Sequence, residues 1–341
     1  MYGYDRRAGK SFVGELTTVI QSPIVSIITS CYRGEHYLEG FFKSVEQQTI
    51  FDRLEIVLAA NESSSKELAI IHSFQRRHPD HLRPIIVNKV ETIGKSLNRC
   101  LQMARGDFIF AWDVDDRVFP RTLEALLHTI REESVDGTYG NYYRVSDPDH
   151  PIEPKPYETL PFDRQEFTRE CHFQVWVLFN RELLKKTGLW DEQFLALNDF
   201  DFKIRLAYFG EWAKTDIAIG YYKFQGGRNL SDMDLFWTEH TMVKLRYGAY
   251  DRINFDYVNK ARKYRIERLL INDQWLDIRK VMPDYDQFIA ERKPLLPIAL
   301  RKYRLAQLNR WRRLQPVRDG ARRLLCSMAL LEPLRQAMRK R

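Results

Sequence analysis

The chain has 341 residues, of which 44% are hydrophobic and 29% charged, and its formal net charge is +8. This balance is typical of an ordered globular protein and excludes a chain that is disordered throughout. The length exceeds what one hydrophobic core usually serves, so we predict a domain followed by an extension. No apolar stretch approaches the eighteen residues that suggest a membrane-spanning helix.

The cysteines and the first residues indicate a reducing compartment. Four cysteines lie far apart and form no C-x-x-C pair: Cys31, Cys100, Cys171 and Cys326. We interpret them as reduced thiols. Residues 1–14 are polar and charged and lack the apolar segment of a secretory signal. We therefore expect a cytoplasmic protein in which residues 1–22 form a polar lead-in.

Strand and helix patterns alternate from residue 24 onward. Short apolar runs predict buried strands, and apolar residues at i, i+3, i+4 and i+7 predict amphipathic helices. We expect strands at residues 24–30, 55–60, 83–87 and 107–112, with helices at 35–48, 65–77, 94–105 and 120–130. Such alternation predicts an α/β fold whose helices flank a mostly parallel sheet.

The pattern changes in the second half of the chain. A strand and a proline-rich connection are expected within residues 138–160, and His172–Phe179 is strand-like. A helix is expected at residues 199–208, and from about residue 234 onward we expect helices with no clear strand, at residues 237–247, 257–271 and 274–281. We therefore assign residues 23–233 to the α/β domain and residues 234–341 to a helical C-terminal region.

Three carboxylates follow the fourth predicted strand within four residues, at Asp113, Asp115 and Asp116. Carboxylates crowded at a strand end repel one another unless a cation or a bound ligand lies between them. Ligands of open α/β sheets bind at the carboxyl ends of the strands. A solvated acidic turn is the alternative interpretation.

Residues 24–231, about 60% of the chain, resemble an inverting glycosyltransferase of family 2 with the GT-A fold. Four segments carry the resemblance in the family's order: residues 25–33, 44–49, 93–107 and 198–206. The third leads into the strand that ends in the D-x-D motif, and the fourth is similar to the family's acceptor-site helix. Each segment is weak alone, and their shared order and spacing make the resemblance specific.

The resemblance implies a nucleotide-diphospho-sugar donor and a divalent cation, Mg²⁺ or Mn²⁺, which neutralises the leaving diphosphate. By position, it implies Asp116 as metal ligand together with Asp115, and Asp115 or Asp113 as the partner of the nucleotide ribose. Asp113 can equally be interpreted as a buried structural carboxylate. The other donor-site residues that the resemblance implies are Thr29, Cys31, Asn61 and Asn98.

Asp199 is the general base that the resemblance implies. An inverting transfer needs a base that takes the proton from the acceptor hydroxyl. Because Asp199 begins a predicted helix, a capping role is the alternative. No Q-x-x-R-W motif follows Asp199, which favours transfer of a single sugar over processive synthesis.

Three positions depart from the family pattern. Ala60 replaces a carboxylate that usually helps to bind the nucleobase, so the sequence does not specify the nucleotide. Asn198 replaces an acidic residue, and Gln225 replaces a histidine. These departures suggest an alternative, a non-catalytic nucleotide-sugar-binding or scaffold protein that retains the fold.

The favoured prediction is a metal-dependent, inverting transfer of one sugar to a hydroxyl of a growing glycan or lipid-linked acceptor, in cell-envelope glycan biosynthesis. Residues 292–341 contain fifteen Lys and Arg but only two acidic residues. A basic amphipathic helix with Trp311 suits the anionic cytoplasmic face of a membrane, which predicts peripheral attachment. Packing of this segment on the catalytic domain is the alternative. No nucleic-acid-binding module accompanies the charge, so no nucleic acid is expected as partner.

Overall fold

The computed structural model describes residues 22–224 and 233–306. Within these residues the strands are β1 Val25–Cys31, β2 Leu54–Asn61, β3 Leu82–Val87, β4 Phe108–Ala111, β5 Arg117–Val118, β6 Gly137–Val145, β7 Lys155–Tyr157, β8 Leu178–Asn180, β9 Trp212–Lys223, β10 Arg268–Ile271 and β11 Gln274–Asp277. The α-helices are α1 Leu38–Glu46, α2 Ser65–Arg77, α3 Ile93–Met103, α4 Thr122–Glu133, α5 Leu184–Thr187, α6 Asn198–Phe209, α7 Met233–Arg246, α8 Val258–Ala261 and α9 Tyr285–Arg292. Residues 295–306 are also helical.

A mixed sheet lies at the centre, with the strand order β3-β2-β1-β4-β8-β6-β9-β5 and with β7 paired to β6. The first four strands in this order are parallel, and the helices α1, α2 and α3 connect them. β8 joins antiparallel to β4, and β9 runs parallel to β6. The predicted α/β fold with a mostly parallel sheet is therefore confirmed.

Two hydrophobic clusters cover the opposite faces of this sheet. Side chains alternate between the faces along a strand, so Ile27 packs in one cluster and Ile28 in the other. The cluster that contains Ile27 includes side chains from α1, α2 and α4. The cluster that contains Ile28 includes side chains from α3, α6, α7 and α9. The C-terminal region thus shares a core with the α/β domain, although the predicted boundary at residue 233 remains a prediction.

Glu67 fixes the chain where β1 ends. Its Oε2 accepts the backbone N–H of Ser64, and the Ser64 hydroxyl accepts the N–H of Glu67, which forms a capping box at the start of α2. The other oxygen, Oε1, accepts the N–H of Gly34 at 2.6 Å. The loop after β1 is therefore tied to the neighbouring helix, and its course is set before any ligand binds.

The prediction that residues 257–271 and 274–281 form helices is wrong for most of their length, because α8 covers only Val258–Ala261 and two strands follow it. β10 and β11 form an antiparallel hairpin across Asn272 and Asp273, whose φ angles are 50° and 62°. Asn and Asp tolerate this left-handed conformation, and two such residues form the tight turn that suits a hairpin. The predicted strand at His172–Phe179 is shorter than expected and begins at Leu178. None of the described helices has the length and hydrophobicity needed to span a bilayer.

Candidate active site

A cavity of about 800 Å³ opens at the carboxyl ends of β1, β2 and β4. Its lining includes Ser30, Asn61, Asp113, Asp115 and Asp199. The strand alternation places Ser30, Asn61 and Asp113 on the face of the sheet that α6 covers. The fold thereby brings the residues at the strand ends close to Asp199 at the start of α6. A second cavity, of about 540 Å³, contains none of these carboxylates in its lining.

Asp113 and Asp115 present carboxylates to this cavity. The surrounding protein partly dehydrates Asp113, and this desolvation together with the charges of Asp115 and Asp199 raises the pKa of Asp113 to about 7. The Asp115 side chain is 36% exposed, and its Oδ2 lies 3.6 Å from Nζ of Lys223. Asp113 is itself exposed and lines the cavity, so the alternative of a buried structural carboxylate does not describe it.

Asp116 lies behind the cavity wall. The residue is only 1% exposed and is absent from the cavity lining among the described residues. Its Oδ1 accepts the backbone N–H of Lys223 at 2.8 Å. Burial raises the pKa of Asp116 well above its usual range, and the charges of Asp115 and Asp113 raise it further. Asp116 is therefore not among the residues that line the cavity, and its role as metal ligand stays a prediction.

Asp199 extends from the first turn of α6 into the cavity, and its side chain is 51% exposed. Its Oδ1 accepts the N–H of Phe200 at 2.8 Å, and its Oδ2 lies 3.2 Å from Nζ of Lys203. The Lys203 ammonium also donates to the carbonyl oxygens of Gln174 and Val175. These bonds orient the carboxylate while leaving it accessible to an acceptor in the cavity.

Three of the predicted donor-site residues do not line the cavity. Thr29 and Cys31 are fully buried on the opposite face of β1, because they alternate with Ser30 along the strand. Burial, together with the nearby Glu67, raises the pKa of the Cys31 thiol to about 12. Asn98 is also fully buried, and it exchanges hydrogen bonds with the backbone of Trp190. The donor-site roles of these three residues stay predictions, which their absence from the cavity lining does not support.

Asn61 lines the cavity. Its Nδ2 donates to the Ser96 hydroxyl at 2.9 Å. Its Oδ1 is buried and has no hydrogen-bond partner within residues 22–224 and 233–306. A buried acceptor without a partner is costly unless a ligand supplies a donor. Asn61 can therefore accept a hydrogen bond from a bound molecule.

Several cavity residues escaped the sequence reasoning. Lys203 lies four residues after Asp199, and this helical spacing could have predicted the pair. Lys223 and Trp176 belong to segments far along the chain and carried no local signal. Leu195 and Leu197 line the cavity from the loop that precedes α6. Only the folded topology brings these residues to the strand ends.

The chemistry of Asp113 and Asp115 fits a hard divalent cation, which binds through one or two carboxylates and completes its shell with phosphate oxygens and water. In the part of the chain that the structure describes, no group of three or more His, Cys, Asp or Glu side chains is arranged to hold a metal ion by itself. A cation at these two carboxylates would therefore depend on ligands from a bound phosphate.

The glycosyl transferase family 2 model matches residues 26–188. An uncharacterised glycosyltransferase of Methanocaldococcus jannaschii is 25% identical over 200 residues, which cover 57% of this chain and 66% of that protein. EpsE of Bacillus subtilis is 34% identical over 120 residues, which cover 34% of this chain and 42% of EpsE. The chain thus spans less than two thirds of the length of these curated relatives.

Solved structures share the fold. TarS of S. aureus in complex with UDP-GlcNAc superposes with a TM-score of 0.55 at 18% identity, over 80% of this chain and 83% of that chain. This likeness confirms the predicted GT-A architecture.

Proposed function

We propose that the protein, whose residues 26–188 match the glycosyl transferase family 2 model, transfers a single sugar, with inversion, from a nucleoside diphosphate to an acceptor hydroxyl. One observation carries the proposal. Asp113 and Asp115 from a strand end and Asp199 from a helix start line the same cavity. An inverting transfer needs these two functions side by side, a site for the leaving diphosphate and a base for the acceptor.

The donor nucleobase is proposed to bind beside Asn61. Tyr32, Val90 and Ile93 line the same cavity and are partly exposed, which offers apolar contact to a base. The unpartnered Oδ1 of Asn61 suits an imino N–H, which uracil and guanine possess and cytosine lacks. The TarS structure that shares the fold contains UDP-GlcNAc, which supports a nucleotide-sugar donor here.

Asp115 and Asp113, rather than Asp116, are the carboxylates we now propose for Mg²⁺ or Mn²⁺. Both line the cavity, whereas Asp116 is buried behind it. When bound, such a cation would neutralise the negative charge that develops on the leaving diphosphate. Desolvation, and secondarily the charges of Asp115 and Asp199, raises the pKa of Asp113 to about 7, and a bound cation would lower that pKa again.

Asp199 is proposed as the general base. Its Oδ atoms receive the proton of the acceptor hydroxyl as the oxygen attacks the anomeric carbon. Lys203 holds this carboxylate through the 3.2 Å contact and is itself fixed by two carbonyl oxygens. The base is thereby oriented before the acceptor arrives, which reduces the entropic cost of reaching the transition state.

A glycan or lipid-linked acceptor of the cell envelope, approached at the cytoplasmic face of a membrane, remains our proposal for the second substrate. The helix at residues 295–306 exposes Ile298, Arg301, Lys302 and Leu305, which lie on one face at helical spacing. The buried Ala299 belongs to the face that packs on the protein. Cations beside exposed apolar side chains suit an anionic lipid surface. The remainder of the basic segment, residues 307–341, lies outside the described residues.

Co-sedimentation with liposomes that contain anionic lipid tests this membrane contact. We expect the double variant Arg301→Glu and Lys302→Glu to bind less than wild type, with equal binding to neutral liposomes. Unchanged binding of the variant to anionic liposomes would remove residues 295–306 from the contact.

The activity is tested by incubating the protein with UDP- and GDP-sugars, Mn²⁺ and glycan or lipid acceptors, and by measuring the released nucleoside diphosphate. We expect turnover with one donor, its loss in Asp115→Ala and Asp199→Ala, and an inverted anomeric configuration in the NMR spectrum of the product. Donor binding without turnover would support the non-catalytic alternative. Turnover that both substitutions leave unchanged would overturn the site.

A further inference from the structure

Lys223, the last residue of β9, lies in the floor of the cavity. Its ammonium hydrogen-bonds the hydroxyl of Tyr37, lies 3.7 Å from the centre of the Tyr37 ring, and is 3.6 Å from Oδ2 of Asp115. The side chain is only 9% exposed. The positively charged Lys223 ammonium thus lies in the cavity lining, next to Asp115, the carboxylate that we propose as a metal ligand.

The two lysines of the cavity differ in how their hydrogen-bonding capacity is used. Lys203 donates to Gln174, Val175 and Asp199, so its three donors are occupied. Lys223 donates to Tyr37, and its distance to Asp115 is that of an ion pair rather than a direct hydrogen bond. Within the described residues, the Lys223 ammonium therefore retains donors for a further acceptor.

Asp116 fixes the backbone that carries Lys223. Its Oδ1 accepts the N–H of Lys223 at 2.8 Å across 107 positions of sequence. The backbone carbonyl of Asp116 in turn accepts from Trp112 and Arg117, which holds the turn after β4 in place. The third carboxylate of the acidic run thus joins the end of β9 to the turn that presents Asp115.

From this geometry we infer that Lys223 binds the diphosphate of the donor and that Asp116 is its positioning residue. The inference rests on the proposed function and adds a residue that no motif of the sequence marked. An ammonium beside a phosphate forms a charge-assisted hydrogen bond, which is stronger than a neutral one. Lys223 offers this bond on the side of the cavity where Asp115 lies.

Lys223 contributes to the proposed reaction electrostatically and forms no covalent bond. The bond between the anomeric carbon and the diphosphate oxygen breaks, and its electron pair leaves with the diphosphate. The acceptor oxygen forms the new bond to that carbon, and its proton passes to Asp199. Lys223 remains protonated throughout and donates an N–H to a diphosphate oxygen whose negative charge increases as the bond breaks.

Nucleotide binding tests the inference without an acceptor and without turnover. Isothermal titration calorimetry in EDTA compares UDP with UMP, or GDP with GMP if the protein prefers guanine. We expect Lys223→Met to weaken binding of the diphosphate by about 10- to 100-fold, the range for a hydrogen bond to a charged group. Binding of the monophosphate should hardly change. Lys223→Arg should restore most of the preference for the diphosphate.

Lys214→Met is the matched control, because Lys214 lies on the same strand and donates to the carbonyl of Thr159 instead. This control should keep the wild-type preference for the diphosphate. An equal loss of diphosphate and monophosphate affinity in Lys223→Met, or no loss, would overturn the assignment. A wild-type protein that binds no nucleoside diphosphate either in EDTA or with Mn²⁺ would instead overturn the proposed function, so the two failures are distinguishable.

A double-mutant cycle tests the positioning role of Asp116. We expect Asp116→Ala to reduce the preference for the diphosphate, and the double variant with Lys223→Met to lose little more than either single variant. Circular dichroism confirms that each variant is folded at the titration temperature. Additive losses would contradict the coupling. A loss confined to titrations that contain Mn²⁺ would return Asp116 to the role of metal ligand.

Discussion

Glu239 of α7 accepts the backbone N–H of Leu197 at 2.9 Å, at the residue that precedes the first turn of α6. The same carboxylate accepts the N–H groups of Leu195 and Ala196 and the hydroxyl of Tyr264. Glu239 is fully buried and lies outside the segment that the family model matches. The C-terminal region therefore holds the loop and the helix start from which Asp199 reaches the cavity.

Replacement of Glu239 by Gln should destabilise the protein. The carboxylate of Glu239 accepts these hydrogen bonds with two oxygens, whereas the amide of glutamine has only one. The NH₂ group of the amide would face backbone N–H groups, which are also donors. Because an unsatisfied buried donor costs about 1–3 kcal/mol, we expect the free energy of unfolding to fall by that amount in urea titrations. Glu158→Gln, at an exposed position, is the control. Equal stability of the two variants would contradict the capping role.

Asp199→Asn should abolish the proposed base while leaving the donor site intact. Asparagine keeps the size and the hydrogen bond to Phe200 but cannot accept the acceptor proton. We expect kcat to fall by about 10²- to 10⁴-fold, the usual contribution of a general base, with an unchanged Kd for the nucleoside diphosphate. Asp216→Asn, on the exposed side of β9, should behave as wild type. A variant that retains kcat would exclude Asp199 as base.

Arg246→Met should cost far more stability than substitution of a surface arginine. Arg246 is fully buried, and its guanidinium contacts Asp191 at 2.8 Å and Asp201 at 2.6 Å. Removal of one partner leaves buried carboxylates uncompensated, which costs about 3–5 kcal/mol. Thermal and urea denaturation measure this loss against Arg304→Met, whose residue is exposed. A loss no larger than that of the control would show that the ionic network contributes little.

His240 should make stability depend on pH below neutrality. Burial, and secondarily the charge of Lys244, lowers its pKa to about 4. The unfolded chain, with a histidine pKa of about 6.5, binds the proton first as the pH falls. The contribution of His240 is therefore fully present above about pH 6.5 and is lost as the pH falls toward 4.

The comparison variant His240→Phe isolates this effect from the titration of carboxylates. Between pH 7 and pH 4, the free energy of unfolding of wild type should fall by about 3 kcal/mol more than that of the variant. This difference follows from the lowering of the histidine pKa on folding. His128→Phe, at an exposed helix position, should follow wild type. Parallel pH profiles for wild type and His240→Phe would refute the prediction.

Asn61 should discriminate between nucleobases. If its buried Oδ1 accepts an imino N–H, wild type should bind UDP or GDP more tightly than CDP, by roughly 5- to 150-fold for a hydrogen bond whose loss leaves a buried group unpaired. Asn61→Ala should reduce this preference to near unity in calorimetric titrations. Equal affinity of wild type for all three nucleotides would contradict a base contact at Asn61.

The sequence by itself determined the strands of the parallel part of the sheet and the positions of the acidic residues along the chain. Apolar runs alternating with amphipathic helices depend on local periodicity, so β1 to β4 and α1 to α4 were predictable. The same holds for the acidic run after β4 and for Asp199 at a helix start. Even the hairpin across Asn272 and Asp273 had a local turn signal, which the apolar pattern of its flanking strands obscured.

Only the tertiary structure decided which of these residues face the cavity. Neighbours along a strand point to opposite faces, so Ser30 lines the cavity whereas Thr29 and Cys31 pack beneath it. The turn after β4 directs Asp115 outward and buries Asp116 against Lys223. Contacts across 107 positions have no sequence periodicity, because they depend on where two distant segments meet rather than on either segment alone.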